Sequence, residues 1–494
     1  MTAIPPQPST PPDTTYSPSR RTALVFLGTG TAGAYHAGVL RALVEAGVRI
    51  DLVAGRGVGA VSAFYAAADA GPRLWDESGI WSGPALRRLY RLRPLWRWLA
   101  VCLGAAALAL VLPLALALLA GALYPVVFVM ELVAPRAAQG AIATYRDLLA
   151  FLLSPELLSS LVPRVATLAL FVAGLTLFGT WLSRMVGPLS HRRARGGAWG
   201  HALGAPSDAG AAVAWATSGF WQFIRGAASI AEPPAIDLAR RFGELLAENL
   251  GQPGYRELVL VTHDLDARRD LVFGLLAAPH RAAFLAGGED APRPDRVWEV
   301  VDLAGAGRDH LVDALAGALS IPLLCEPHRV GFAPESAWRG ETHRLCDRPD
   351  AAARLLDEVA LAGATQVIVV SAVVPVEGPH ALSAMRPGLR PRVGEWVASS
   401  EAAALDEAIA ACGDRFWGVY RISPPHNPLG PLDLHGGYDD RSDRAYAVRE
   451  LIARGYDDAY RSFVEPVVGA SGEDMRAAAA QPAGAADLPL RGRE

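Results

Sequence analysis

TALVFLGTGTAGAYHAGVLRALVEAGVRIDLVAGRGVGAVSAFYAAA, residues 22–68, is the stretch on which the reading of the whole chain turns. Its pattern predicts a strand (Ala23–Leu27), a glycine loop (Gly28, Gly30, Gly33) and an amphipathic helix from about Ala34 to Ala46. A second apolar strand, Ile50–Ala54, runs into the tight turn Gly55-Arg56-Gly57-Val58-Gly59 and another helix of small residues. Strand, turn and helix, twice over, open a parallel α/β sheet. Such sheets place their ligands at the C-terminal strand ends, where both glycine turns fall.

The stretch resembles the opening of a patatin-like phospholipase domain, a family of lipid acyl hydrolases that use a Ser–Asp dyad. The family's oxyanion loop, roughly G-G-G-x-R-G, corresponds to Gly28-Thr29-Gly30-Thr31-Ala32-Gly33, and a G-V-L follows at Gly38-Val39-Leu40. Its nucleophile elbow, G-x-S-x-G, corresponds to Gly55-Arg56-Gly57-Val58-Gly59. The frame is kept, but position 57 is glycine. An elbow is a strained turn that lifts a hydroxyl above the sheet. Glycine adopts such a backbone freely, so it keeps the turn and removes the chemistry. On this reading Gly57→Ser is expected to fold at a strain cost of about 1–3 kcal/mol. Ser62 lies more than a turn into the following helix, away from an elbow position.

Two other readings compete for the same glycines. Gly28-x-Gly30-x-x-Gly33 between a strand and a helix also satisfies the dinucleotide fingerprint. That fold wants an acidic residue at the end of the second strand, whereas Asp51 stands at its start. The glycines can also serve only to let a helix pack close to a sheet. Two glycine loops in one family's register weigh against that.

The 494 residues carry a net charge of -4, which gives no argument for a nucleic-acid partner. A mean hydropathy of +0.22 with only 19% charged residues points to membrane segments. All 46 basic residues are arginine, a composition typical of a GC-rich bacterial genome. Cys102, Cys325, Cys346 and Cys412 are widely spaced and fit a reducing compartment. No metal-ligand spacing is present, and no cofactor is expected.

Beyond the elbow helix, Arg87, Arg88, Arg91, Arg93 and Arg97 precede an uncharged run from Trp98 to Met130. As one helix it would be roughly 50 Å long, more than the ~30 Å hydrocarbon core of a bilayer. Pro113 and Pro125 are therefore expected as kinks or ends, giving one span and an interfacial extension. A second uncharged run, Val165–Ser183, is followed by Arg184, Arg192, Arg193 and Arg195. A single sheet built from both flanks requires an even number of crossings, and arginines at both outer ends put the globular parts in the cytoplasm. A buried core hairpin in a soluble protein and a hairpin that embeds without crossing are the alternatives.

The resemblance resumes downstream. His263-Asp264-Leu265-Asp266-Ala267-Arg268 resembles the family's T-D-L-D-x-G-R turn, and Leu311–Pro322 resembles the helix ending in A-x-P that precedes the dyad aspartate. Gly363-Ala364-Thr365-Gln366-Val367-Ile368-Val369-Val370 matches the strand after that aspartate, and the usual spacing back from it reaches Asp347. Asp347 lacks the two glycines of the family's D-G-G and can instead be a helix cap before Pro349. His435-Gly436-Gly437 keeps the glycines but has histidine for aspartate. Ser442–Val468 has helical periodicity and an R-G-Y-x-D-A run like the family's closing helix.

The expected fold is thus an α/β, patatin-like parallel-sheet acyl-hydrolase fold interrupted by a transmembrane helical hairpin. The expected organisation is a disordered lead (1–20), a first half-domain (21–85), the hairpin (86–197) and a second half-domain (198–376). A variable loop or lid (377–430), a C-terminal helical segment (431–469) and a disordered tail (470–494) follow. The expected site comprises Gly28, Gly30 and Gly33 of the oxyanion loop, the elbow Gly55, Arg56, Gly57 and Gly59, and Asp347, with Arg56 able to pair a phosphate. Three functions fit: a disabled homologue that binds membrane lipid or a protein partner, a hydrolase with another nucleophile, and a scaffold. The expected location is a bacterial inner membrane.

Overall fold

A computed structural model describes residues 16–83, 86, 89–152, 154, 162–186, 204–288, 293–373, 389–425, 437–438, 445–446 and 448–468. Most of the lead, the tail from 470, residues 377–388 and His435 lie outside the described residues.

The chain divides into two units, one formed by residues 1–91 with 208–494 and the other by Leu92–Ser207. The first opens as its sequence suggests, with β1 (Thr22–Leu27), α1 (Ala32–Glu45), β2 (Leu52–Gly55) and α2 (Gly59–Ala67). The short α3 (Pro72–Trp75) closes this part.

The second unit holds α4 (Pro94–Val133), α5 (Pro135–Leu152) and α6 (Val162–Val186). α4 and α6 are each long and apolar enough to cross a bilayer. Leu110, Leu114, Leu118, Leu168 and Phe171 are exposed, the reverse of a soluble core helix. Pro113 and Pro125, expected as kinks or ends, do not end the first helix, since α4 is helical through both. Each proline removes one backbone hydrogen bond, and helical neighbours on both sides carry the chain past it. The 40-residue helix is about 60 Å long.

The first unit resumes with α7 (Gly210–Arg225), α8 (Ala235–Glu248), β3 (Glu257–Asp264), β4 (Arg269–Leu275), α9 (Ala278–Ala286) and β5 (Val300–Asp302). α10 (Leu311–Leu319), β6 (His328–Gly331), β7 (Thr342–Cys346), α11 (Ala352–Leu361), β8 (Gln366–Ser371), α12 (Leu389–Cys412) and β9 (Gly418–Ile422) follow. The main sheet runs β5-β4-β3-β2-β1-β8-β9, with β7 pairing β3 and β6. Its centre, β3-β2-β1-β8-β9, is wholly parallel. Parallel strands are covered on both faces, which is why TALVFL and QVIVVS read as continuous apolar runs. Leu24 and Phe26 face one core; Ala23, Val25 and Leu27 face the other.

The stretch 377–430, read from sequence as a loop or lid, contains α12 and the strand β9, which pairs in parallel with β8. The C-terminal segment is also corrected. Ala445–Tyr446 forms a short strand with Gly437–Tyr438, and helix α13 starts at Val448 and runs to Ala459. α13 packs on α1 where both present glycine. A Cβ at Gly38 would overlap the Ile452 carbonyl, and one at Gly455 the Tyr35 carbonyl. The aromatic residues of the Gly/Ala-rich stretch join the core too: Phe220 lies 4.2 Å from Phe64 and 4.9 Å from Phe242, between ring centroids.

Candidate functional site

The elbow turn links the end of β2 to the start of α2, as its sequence requires, and Gly57 at its apex has φ +56°. That is the left-handed region an elbow residue occupies at a cost and glycine enters without one. The glycine loop after β1 lies directly against it. The Val58 N–H donates to the Gly28 carbonyl at 2.9 Å. In an elbow of this type the N–H following the nucleophile is an oxyanion donor, and here it is spent on the protein's own backbone. The same carbonyl fills the space a Cβ at position 57 would need. The expectation that Gly57→Ser carries backbone strain alone is therefore corrected: the loop must also move.

Asp347 follows β7 and is held there by its N–H, which donates to the Ser320 carbonyl at 2.9 Å. One carboxylate oxygen, Oδ2, is 3.1 Å from where a Cβ at 57 would lie. The spacing argument thus reaches the residue beside the elbow. The carboxylate does not face an empty cleft, however. Arg56 Nη1 donates to Asp347 Oδ2 at 3.1 Å, and Arg56 Nη2 lies 2.6 Å from Glu401 Oε1 on α12, a close ion pair not aligned as a hydrogen bond. All three groups are buried. Arg56, expected to be able to meet a phosphate, is instead held by two carboxylates of its own chain.

Burial pushes the Asp347 carboxyl up to about 6; Arg56 opposes the rise and Glu401 adds to it. Two carboxylates and one guanidinium leave a buried excess of negative charge when all are ionised, so Asp347 takes up its proton at a higher pH than a free carboxylate does. Cys346, next in the chain, is no thiolate: burial pushes it up to about 12.

A second polar pair lies under the glycine loop. His36 of α1 is fully buried, with Nε2 3.0 Å from the Leu27 carbonyl and Nδ1 3.3 Å from Ser62 Oγ. The carbonyl fixes the tautomer, with the proton on Nε2, and Ser62 donates to Nδ1. Burial lowers the ring to about 3, so it stays neutral. The turn after β3 is structural as well: Asp264 Oδ1 accepts the N–H groups of Asp266 and Ala267, and Oδ2 accepts from His343.

Residues 24–112 match the family model described as patatin-like phospholipase. Over those residues the chain is similar to patatin-like phospholipases. The matched stretch includes both glycine turns described above. Among solved structures, the chain is similar to VipD from Legionella pneumophila, at 12% identity over 91% of this chain and 67% of that one, with a TM-score of 0.29. No curated protein matches the chain.

Glu401 and His36 were not singled out by sequence. Glu401 is one of several acidic residues in an Ala-rich helix, and only the fold brings it to Arg56. His36 carries a faint signal, as the one imidazole in a helix otherwise made of small and apolar residues with Arg41 and Glu45 at its end.

Proposed function

We propose that this chain is a membrane-anchored, catalytically silent patatin-like protein that binds membrane lipid without hydrolysing it. Acyl transfer needs a nucleophile, a base in reach and free oxyanion donors. Gly57 offers no attacking atom, Asp347 is engaged by Arg56, and the Val58 N–H is engaged by Gly28. The Gly28 carbonyl seated over Gly57 is the observation that carries the reading, because it occupies both the side-chain space and the oxyanion donor.

The lipid half of the proposal rests on the match to a phospholipase domain and on the outward-facing apolar surfaces of α4 and α6. Arg91, Arg93 and Arg97 at the start of α4 favour a cytoplasmic globular unit at a bacterial inner membrane.

A hydrolase with Ser62 as nucleophile has one observation in its favour, the hydrogen bond to His36. Against it, both residues are buried, and a base lowered to about 3 has little proton affinity to offer at neutral pH. The test is fatty-acid release by the purified protein in phospholipid nanodiscs, with retained lipid measured by mass spectrometry. Retained phospholipid without release is expected. Release above that of a heat-denatured control contradicts the proposal.

A further inference from the structure

We propose that the cleft between the β3–β4 turn and the start of β5 binds a nucleoside diphosphate, at a site separate from the elbow and independent of the lipid reading. Ala267, Arg268, Arg269, Asp295, Trp298 and Glu299 line an open cleft of about 660 Å³, a size that suits a small-molecule ligand. β3 runs parallel to β1 and β2, β4 turns back antiparallel from its end, and β5 lies parallel to β4 with Val300 beside Val272. The cleft therefore opens on the sheet edge that carries both glycine turns, the edge where α/β sheets hold ligands. Its far wall is anchored from beneath. Arg296 is buried, with Nε donating to the Phe284 carbonyl at 3.0 Å and Nη1 to Glu358 at 2.6 Å. Asp295 and Trp298, on either side of it in the chain, are left exposed.

The charge pattern points to the ligand. The carboxylates near the cleft are already paired: Asp266 with Arg344 at 2.9 Å, Asp270 with Arg348 at 2.7 Å and Glu299 with Arg354 at 2.7 Å. Arg268 and Arg269 lie beside Asp266 and Asp270 in the chain, yet neither guanidinium makes an ion pair or hydrogen bond among the described residues. Arg268 also has φ +55°, and the T-D-L-D-x-G-R turn that this segment resembles has glycine at that position. A guanidinium is thus held where the backbone favours glycine. Two free guanidinium forks match the oxygens of two phosphoryl groups. The exposed Trp298 ring offers a face on which a base stacks, and the unpaired Asp295 carboxylate accepts from ribose hydroxyls. Bare phosphate and a phospholipid headgroup would both leave the Trp298 face unused.

The experiment is isothermal titration of the purified full chain with ADP, and separately with adenosine and with inorganic pyrophosphate. ADP is expected to bind with a Kd below about 1 mM, and each fragment at least about tenfold more weakly. Arg268→Gln combined with Arg269→Gln, and separately Trp298→Leu, should each weaken ADP binding at least about tenfold. Both arginines are exposed, so the double variant should keep the wild-type melting temperature and carries the test by itself if Trp298→Leu perturbs the fold. Absence of ADP binding overturns the proposal. Pyrophosphate binding as tightly as ADP, with Trp298→Leu unchanged, shows a bare anion site and overturns the nucleotide assignment. ADP binding that survives the double variant places the nucleotide elsewhere and overturns the proposal as well.

Discussion

The backbone carbonyl of Gly28 takes the Val58 N–H at 2.9 Å and stands where a side chain at position 57 would begin. One atom thereby closes two requirements of acyl chemistry: the place of the nucleophile and a donor to the oxyanion. Absence of the serine and closure of the loop support each other, because the carbonyl can sit there only while residue 57 has no Cβ.

Restoring the serine should therefore cost more than strain. Gly57→Ser carries about 1–3 kcal/mol for its backbone conformation and about 1 kcal/mol more for the displaced Gly28 hydrogen bond. Gly57→Ala should lose about the same, since the overlap begins at Cβ. Thermal unfolding of the purified variants measures both. A serine variant as stable as wild type would mean that the loop does not rest on the elbow in solution.

Arg56 should be intolerant of replacement. Arg56→Met leaves Asp347 and Glu401 buried together without a counter-charge, and breaking a buried pair in this way costs about 3–5 kcal/mol. Combining it with Asp347→Asn and Glu401→Gln should recover most of that loss. Denaturation midpoints of the single and triple variants decide it; equal losses would remove the network from the account.

The pH dependence of stability has a definite sign. Asp347 rises from 3.8 to about 6 on folding, so the folded chain holds that proton more tightly than the unfolded one. Its contribution is fully present below about pH 4, falls as pH rises, and is lost above about pH 6. The amount is of order 3 kcal/mol at 1.36 kcal/mol per pH unit. Asp347→Asn should abolish this slope, so wild type weakens relative to the variant between pH 4 and pH 7. Parallel curves would mean that Arg56 keeps Asp347 ionised throughout.

The α1–α13 crossing predicts a contrast among glycines. Gly38→Ala and Gly455→Ala each push a Cβ into a facing backbone carbonyl and should cost about 1–3 kcal/mol or more. Gly104→Ala on α4 meets nothing within 4 Å and should be neutral or stabilising by up to about 1 kcal/mol. Melting temperatures of the three variants test this.

Much of the architecture was legible because parallel strands and glycine turns leave short-range marks. β1, α1, β2 and the elbow fall within a few residues of the boundaries read from periodicity, and counting back from Gly363 reached Asp347. Long-range pairings left no such mark. Nothing in an Ala-rich helix says that Glu401 will meet Arg56, and nothing in Gly28 says that its carbonyl will turn onto Val58. The prolines of α4 misled for a physical reason: proline signals a break on balance, but a helix continues through it when flanking turns are intact.

The most direct test of the vacated elbow is fluorophosphonate labelling of the wild-type protein in phospholipid nanodiscs, beside Gly57→Ser and Ser62→Ala. The account predicts no labelling of the wild type, because no activated hydroxyl stands beside a free oxyanion donor. Labelling of the wild type that disappears in Ser62→Ala would contradict it and make the buried Ser62–His36 pair the working centre.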